Sequence, residues 1–312
     1  MSRSSASRAN RRGELPPDPE PLPSPALDSH THLDIVVGER PAHGAGDEGW
    51  PDDDAVGAEI AAATAVGVPR LVQVGVDVPS SRWSAGLADR HPQVLAAVAI
   101  HPNEAGEGRA DDDALAEIDR LAALPRVRAI GETGLDFFRT PDEAGQRAQL
   151  ASFEAHIELA KQQNLALQIH DRDAHELVLQ TLRRVGAPER TVFHCFSGDR
   201  EFARIVADSG WYLSFAGTVT FKNAEPLREA LETIPRSRIL IETDAPYLTP
   251  MPFRGRPNSA YLIPHTLRAM AAHLGTDPSM LAAQISSNTE LVYGHWDDDP
   301  VDPPTGPFEP HP

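Results

Sequence analysis

Cysteine occurs once in the 312 residues, as Cys195. A single thiol excludes an internal disulfide framework and fits a reducing compartment. Long apolar runs are also missing: nothing reaches the roughly 18 consecutive apolar residues of a membrane span, and no stretch has the apolar centre of a secretory signal. These absences set the expectation of a cytoplasmic protein with no membrane partner. Positive charge is scarce, because 28 Lys and Arg stand against 46 Asp and Glu, for a net charge of −18. That sign excludes a basic nucleic-acid coat. A phosphate substrate needs locally placed cations or metal ions to overcome the repulsion. Lysine itself is found only at Lys161 and Lys222.

Both ends of the chain lack apolar periodicity. Residues 1–25 hold six prolines, and residues 296–312 hold six more with five acids and no Lys or Arg. Both are expected to be disordered tails. The opening MSRSSASRANRRG has the Arg and Ser of a transit peptide but almost no apolar residues for an amphipathic face, which points to a flexible tail instead. The front tail carries +1 and the back tail −5, which leaves −14 on the body, residues 26–295. A body of that length lies within the size of a single (β/α) barrel domain.

Within the body, short β-rich runs alternate with stretches of helical period, the pattern of an α/β fold with parallel strands. The strands are expected at 26–33, 70–76, 94–100, 127–132, 166–170, 191–194, 211–215 and 238–243. Between them, DDDALAEIDRLAAL and DEAGQRAQLASFEAHIELAKQQN repeat apolar residues at three and four positions, as helices do. Eight such units suggest a closed TIM-like (β/α)8 barrel. A doubly wound open sheet is the runner-up, but it gives no reason for polar residues after nearly every strand.

Those polar residues carry the function, because barrel active sites are built at the C-terminal ends of strands. The first strand ends in ALDSHTHLD, where alternation along a strand would project Asp28, His30 and His32 from one face. The third ends in His101, the fourth in Glu132, the fifth in His170, the sixth in His194 and the eighth in Asp244. Any one of these is more often a satisfied polar group or a helix cap. So many at one rim point to metal. Four of those histidines, His30, His32, His170 and His194, with the carboxylates Glu132 and Asp244 exceed the three protein ligands of a catalytic zinc, so two divalent ions are implied. Glu132 is assigned as the bridge between them, since Gly131 and Gly134 on either side leave room for close approach.

The motifs DSHTHLD, AIHPNEA, GETGLDFFR, IHDRDA, HCFSG, ETDAPYLTP and RGRPNSAYL, in this order and spacing, resemble the TatD-like metal-dependent deoxyribonucleases of the amidohydrolase superfamily. The resemblance runs from about Asp28 to Asn288. It implies a TIM-like barrel with a two-metal phosphodiesterase centre. Carried over position by position, it makes His30 and His32 ligands of a first metal, Glu132 the bridge, and His170 and His194 ligands of a second. Asp244 becomes a ligand of the first metal beside the attacking water, and Asp244 and Glu132 the catalytic carboxylates. The resemblance also implies a nucleic-acid substrate, single-stranded DNA ends with RNA as an alternative, trimmed 3′ to 5′. Two departures stand out. Asn103 replaces the histidine often found there, and ERPAHGAGDEGWPDDD elaborates the loop after the first strand; His43 in that loop is expected only to face solvent. Histidine-rich ligation suits Zn or Mn on softness grounds, whereas the resemblance allows Mg.

Substrate phosphates need donors on the same rim. His101, Arg139, Arg172, Arg254 and Arg256 are the candidates, with Lys222 nearby, and bidentate arginine geometry favours a phosphate clamp. Phe137, Phe138, Tyr247 and Phe253 lie among them and are candidates for stacking bases or for packing the rim. Cys195, beside His194, is expected to pack in the core rather than act as a nucleophile. The nearest rival function is an amidohydrolase-superfamily esterase, lactonase or phosphotriesterase acting on a small molecule. Its common version bridges the metals with a carbamylated lysine on the fourth strand, where this chain has none. A non-catalytic metal-binding barrel is the rival from another class, but Glu132 and Asp244 are both present.

Overall fold

The computed structural model describes residues 13–38 and 49–297. The strands are β1 (Leu27–Thr31), β2 (Arg70–Val74), β3 (Val94–Val98), β4 (Val127–Asp136), β5 (Ala166–Arg172), β6 (Thr191–Phe193), β7 (Tyr212–Phe215) and β8 (Ile239–Ile241). They pair in sequence order, every neighbour parallel. The ring closes just beyond β8: the Asp244 amide donates to the His30 carbonyl at 3.0 Å, and the His32 amide to the Ala245 carbonyl at 2.9 Å. The expected (β/α)8 barrel is therefore the fold observed.

The helices are α1 (Leu33–Val37), α2 (Asp53–Ala65), α3 (Val78–Arg90), α4 (Pro102–Gly106), α5 (Asp112–Ala122), α6 (Glu143–Gln162), α7 (His175–Val185), α8 (Arg200–Asp208), α9 (Glu225–Thr233), α10 (Ile263–His273) and α11 (Pro278–Tyr293). Part of the acid excess is spent on them. Asp52, Asp111, Asp142 and Asp199 each accept a backbone amide at a helix N-terminus, where the exposed amides and the helix dipole favour a carboxylate. Among the described residues no helix is long and apolar enough to cross a membrane.

The strands are buried on both sides, as a parallel sheet wrapped in helices requires. Val72, Val74, Leu95, Ala97, Ala129 and Leu240 fill the barrel from inside, and Tyr293 and Trp296 close that inner core at the N-terminal end of the strands. Leu71, Val94, Val98, Ile130, Leu167 and Ile169 face outward into the layer shared with the helices. The apolar filling leaves the opposite end of the barrel free for polar side chains.

Three expectations need correction. Residues 13–25 do not run free. Pro16 and Leu22 are buried, the Leu22 amide donates to the Val66 carbonyl at 2.9 Å, and the Tyr261 hydroxyl donates to the Pro16 carbonyl at 2.7 Å. Prolines suit such a strap, since they carry no backbone N–H that must find an acceptor. At the other end Trp296 is buried and Asp297 pairs with Arg70 at 2.7 Å, so the packed chain extends past residue 295. Finally, β4 continues four residues beyond Glu132, because Gly131 and Gly134 let it press against β5. At Gly134, whose φ is +138°, a Cβ would lie 2.1 Å from the His170 carbonyl oxygen. Residues 1–12, 39–48 and 298–312, including His43 and most of the elaborated loop, lie outside the described residues.

Candidate metal centre

The C-terminal rim gathers side chains from six strands around Glu132, and each oxygen of that carboxylate faces a different set. Oε1 lies 3.6 Å from His32 Nε2 and 4.0 Å from His30 Nε2. Those two imidazole nitrogens are 3.3 Å apart, and Asp244 Oδ1 sits 3.5 Å from His32 Nε2 and 3.8 Å from His30 Nε2. Oε2 lies 2.8 Å from His194 Nε2 and 3.3 Å from His170 Nδ1, with those two nitrogens 3.3 Å apart. All six residues expected to be ligands thus meet at one place.

The chain supports these positions locally. His30 and His32 reach the rim through an irregularity in β1, whose register against β2 shifts between Asp28 and Thr31. Strict alternation is therefore not what brings them together. Asp28 beneath them accepts from the His30 and Thr243 amides and, at 2.6 Å, from the Thr243 hydroxyl, tying β1 to the loop that carries Asp244. Burial pushes the Asp28 carboxyl up to about 7 against those donors. Asp244 itself adopts a left-handed backbone, φ +53°, as does Cys195 at +41°, and such conformations cluster where a site constrains the chain.

The geometry fits metal ions. An ion about 2.1 Å from four tetrahedral donors holds them about 3.4 Å apart, which is the scale of the separations above. Three groups of His and acidic residues have donor atoms close enough to share an ion: His30, His32 and Asp244; His30, Glu132 and His194; and His101, Glu132 and His170. The pKa directions divide the four histidines, with His30 lowered and His32, His170 and His194 raised by the carboxylates around them. Burial, aided by neighbouring His194, holds His30 well below its ordinary value, so it stays a neutral donor. Burial would likewise lower His194, but Glu132 and Glu242 overcome it and hold the ring well above its usual range. A cation in that place would relieve the same two carboxylates.

His101 differs from the other four. Its Nδ1 accepts the Asn103 amide at 3.1 Å, so in the neutral ring the proton sits on Nε2, which faces Glu132 Oε2 at 3.8 Å. Burial keeps the ring neutral by lowering its pKa to about 3. A protonated nitrogen is a donor rather than a ligand, which suits His101 to a substrate oxygen.

Three carboxylates support the histidines from behind or beneath, and two of them, Asp136 and Glu242, escaped the sequence reading. Asp136 Oδ2 holds His170 Nε2 at 3.2 Å. Glu242 Oε1 lies 3.4 Å from His194 Nδ1 and accepts the Cys195 amide at 2.7 Å. Asp28 is the third. Glu242 stands two residues before Asp244 and Asp136 four after Glu132, spacings that a search for same-face neighbours would have caught.

The metal-facing atoms open into a cavity of about 600 Å3. Arg139, Arg172, Asn103, Glu104, Ser197 and Tyr247 line it with the site residues. Arg254 and Arg256 do not: Arg254 stacks over Phe221 at 4.2 Å, and Arg256 stacks over Phe253 at 5.5 Å and pairs with Glu14 at 3.8 Å. Lys222 is not among the lining residues either. Of the four aromatics, Phe137 packs against the core and Phe253 against His265, while Phe138 and Tyr247 are exposed. Cys195 lines the cavity, with its thiol pushed well above the ordinary value by burial.

Residues 27–294 match the family model described as TatD related DNase. A Mycobacterium tuberculosis protein named as an uncharacterized metal-dependent hydrolase TatD is 43% identical over 86% of this chain and 97% of its own. A Citrobacter rodentium protein named 3′-5′ ssDNA/RNA exonuclease TatD is 38% identical over 75% of this chain and 90% of its own. In architecture the chain is similar to the crystal structure of a TatD homologue from Escherichia coli K12, with a TM-score of 0.76 and 24% identity over 86% of this chain and 98% of that one.

Proposed function

The chain belongs to the TatD-related DNase family of metal-dependent hydrolases, and from that premise we propose that it is a two-metal phosphodiester hydrolase that trims single-stranded DNA, and RNA, from the 3′ end. The observation that carries the reading is Glu132, with one oxygen turned to His30, His32 and Asp244 and the other to His170 and His194. In this reading His30, His32 and Asp244 would hold one ion, His170 and His194 the other, and Glu132 would be shared between them. Bound divalent ions lower the pKa of water and stabilise charge on the attacked phosphoryl group. Histidine-rich donors suit Zn or Mn, and the carboxylates extend the range to Mg.

The residues divide the remaining work. Asp244, at the mouth of the first group, accepts the proton of the attacking water and fixes its direction. His101 offers its Nε2 proton to a phosphoryl oxygen on the far side of Glu132. Arg139 and Arg172 supply the positive charge that the acidic body lacks, so that the strand's phosphates are drawn to one wall of the cavity. A cavity of about 600 Å3 on an acidic body favours a few nucleotides at a chain end over a long duplex. The direction of trimming is supported by the name of the Citrobacter rodentium relative.

A time course on end-labelled single- and double-stranded DNA and RNA, with defined added Mg, Mn or Zn, tests the proposal. Stepwise loss of 3′ nucleotides from single strands is the expected result. Cutting of circular single-stranded DNA at the rate of linear substrate contradicts the end preference, and hydrolysis of small esters or lactones with oligonucleotides untouched contradicts the substrate class.

A further inference from the structure

Six large apolar side chains stand exposed among the described residues, and only two of them are aromatic: Phe138, 59% exposed, and Tyr247, 53% exposed. Tyr247 is part of the wall of the metal cavity, three residues after Asp244, and Phe138 adjoins that wall through Arg172. Phe138 lies two residues beyond the end of β4 and carries the Arg172 guanidinium at 3.9 Å from its ring centre, while Arg172 itself lines the cavity. In a ring ordered β1 to β8, the strands β4 and β8 stand opposite one another, so the loops that carry the two rings rise from facing sides of the barrel.

Neither position is left to chance. The Tyr247 amide donates to the Asp244 carbonyl at 2.9 Å and Asn258 donates to the Tyr247 carbonyl, so the ring is set by the same loop that sets Asp244. Its edge approaches the His32 ring, with centroids 6.5 Å apart. On the other side the Arg139 amide donates to Asp136 Oδ1 at 2.8 Å, which fixes the turn holding Phe138. The other described phenylalanines, tyrosines and tryptophans are all buried or half-buried. A flat guanidinium over a flat ring pairs a phosphate-binding group with a base-binding face.

Resting on the nuclease reading above, we propose that Phe138 with Arg172, and Tyr247 across from them, form two base-stacking positions that flank the scissile phosphate and hold an unpaired strand by its nucleobases. Each ring takes the face of one base, whichever base it is. Arg172 takes the phosphate beside the base on Phe138. Bases in a duplex are already stacked on their neighbours and do not offer these faces, so the pair selects single strands without selecting sequence.

The test compares a single-stranded DNA oligonucleotide with the same chain carrying tetrahydrofuran abasic residues at its last three 3′ positions. Metal-loaded wild-type protein is expected to show a KM about tenfold or more higher on the abasic strand, since stacking contributes about 1–3 kcal/mol per base. In Phe138→Ala and Tyr247→Ala the ratio between the two strands collapses toward one, and in Phe138→Trp and Tyr247→Phe, which keep the ring, the ratio is restored. Affinity for both strands measured with metal-loaded Asp244→Asn protein separates the two proposals. Discrimination in binding with no turnover by the wild type retains the stacking positions and removes the nuclease reading. Equal binding of both strands, or a discrimination that both alanine variants keep, overturns the stacking positions whether or not the enzyme cuts DNA.

Discussion

The two sides of Glu132 are built from the same kinds of residue and supported in different ways. On the Oε1 side both histidines come from one strand end, and the atoms behind them are uncharged: His32 Nδ1 faces the Val74 carbonyl at 3.1 Å, and His30 Nδ1 is buried without a hydrogen-bond partner. The negative charge on that side stands in front, on Asp244, which is 15% exposed. On the Oε2 side the histidines come from two strands, and each has a carboxylate behind it, Asp136 for His170 and Glu242 for His194. A carboxylate behind an imidazole fixes its orientation and raises its basicity. The difference teaches a division of labour. In the two-ion reading proposed above, the Oε2 side would hold its cation more firmly, and the Oε1 side would keep its carboxylate where water and substrate reach it.

The largest effect should follow from the exposed carboxylate. Asp244→Asn keeps an oxygen that can coordinate but removes the proton acceptor, so turnover on a single-stranded oligonucleotide is expected to fall by about 100-fold or more while most of the bound metal is retained. Turnover above about a tenth of wild type would place the base elsewhere and erase the contrast between the two sides. Next in size are the carboxylates behind the rings. Asp136→Asn and Glu242→Gln should each weaken metal affinity by about 10–100-fold, with activity recovering in excess metal. His170→Ala should behave in the same way, through occupancy. Titration of metal-free protein, followed by ion content and by thermal shift, reads these changes. Unchanged affinity in both carboxylate variants would show that the support behind the rings is irrelevant.

The comparison also marks how far the sequence could be read. The eight strands and the six residues around Glu132 were legible because a parallel barrel forces a simple pattern. Strands buried on both faces become unbroken Val, Ile, Leu and Ala runs, and function collects where those runs stop. Asp136 and Glu242 were not singled out because each stands behind a histidine and accepts a backbone amide rather than facing the centre, and only their same-face spacing from Glu132 and Asp244 marks them in the sequence. The strap at 13–25 was misread because its six prolines match the composition of disorder. Its order comes from single contacts such as Pro16 with Tyr261, which periodicity cannot reveal. Arg254 and Arg256 followed a motif to the rim, but Phe221 and Phe253 draw their guanidinium groups aside.

A smaller effect tests the wall between the two sides. His156 on α6 is buried, with Nε2 accepting the Ile100 amide at 3.1 Å and Nδ1 donating to the Ser152 carbonyl at 2.7 Å, and it steadies the chain just before His101. Burial lowers its pKa to about 4, from 6.5. As pH falls through 6.5 the unfolded chain takes up a proton that the folded chain refuses until about 4, so the stability this ring contributes is complete above that window and lost within it. At pH 5 the loss amounts to about 2 kcal/mol. Urea unfolding of metal-free protein at pH 7 and pH 5 should show a loss larger by about this amount in the wild type than in His156→Gln, since the other buried histidines titrate alike in both proteins. The smallest effect belongs to the far end of the barrel. Asp277 accepts the Ser279 amide at 2.8 Å at the start of α11, so Asp277→Ala should lower the melting temperature slightly through loss of the cap. Metal affinity should stay at the wild-type value, and a change in it would mean that the two ends of the barrel are coupled.

The central claim is that one carboxylate, Glu132, joins two ions held by unlike sets of ligands. Anomalous diffraction from crystals grown with saturating Mn or Zn tests it most directly. The account predicts two peaks about 3.5–4 Å apart, one among Glu132 Oε1, His30, His32 and Asp244, the other among Glu132 Oε2, His170 and His194. A single peak at full occupancy with every ligand intact, or a second peak that does not touch Glu132, would contradict it.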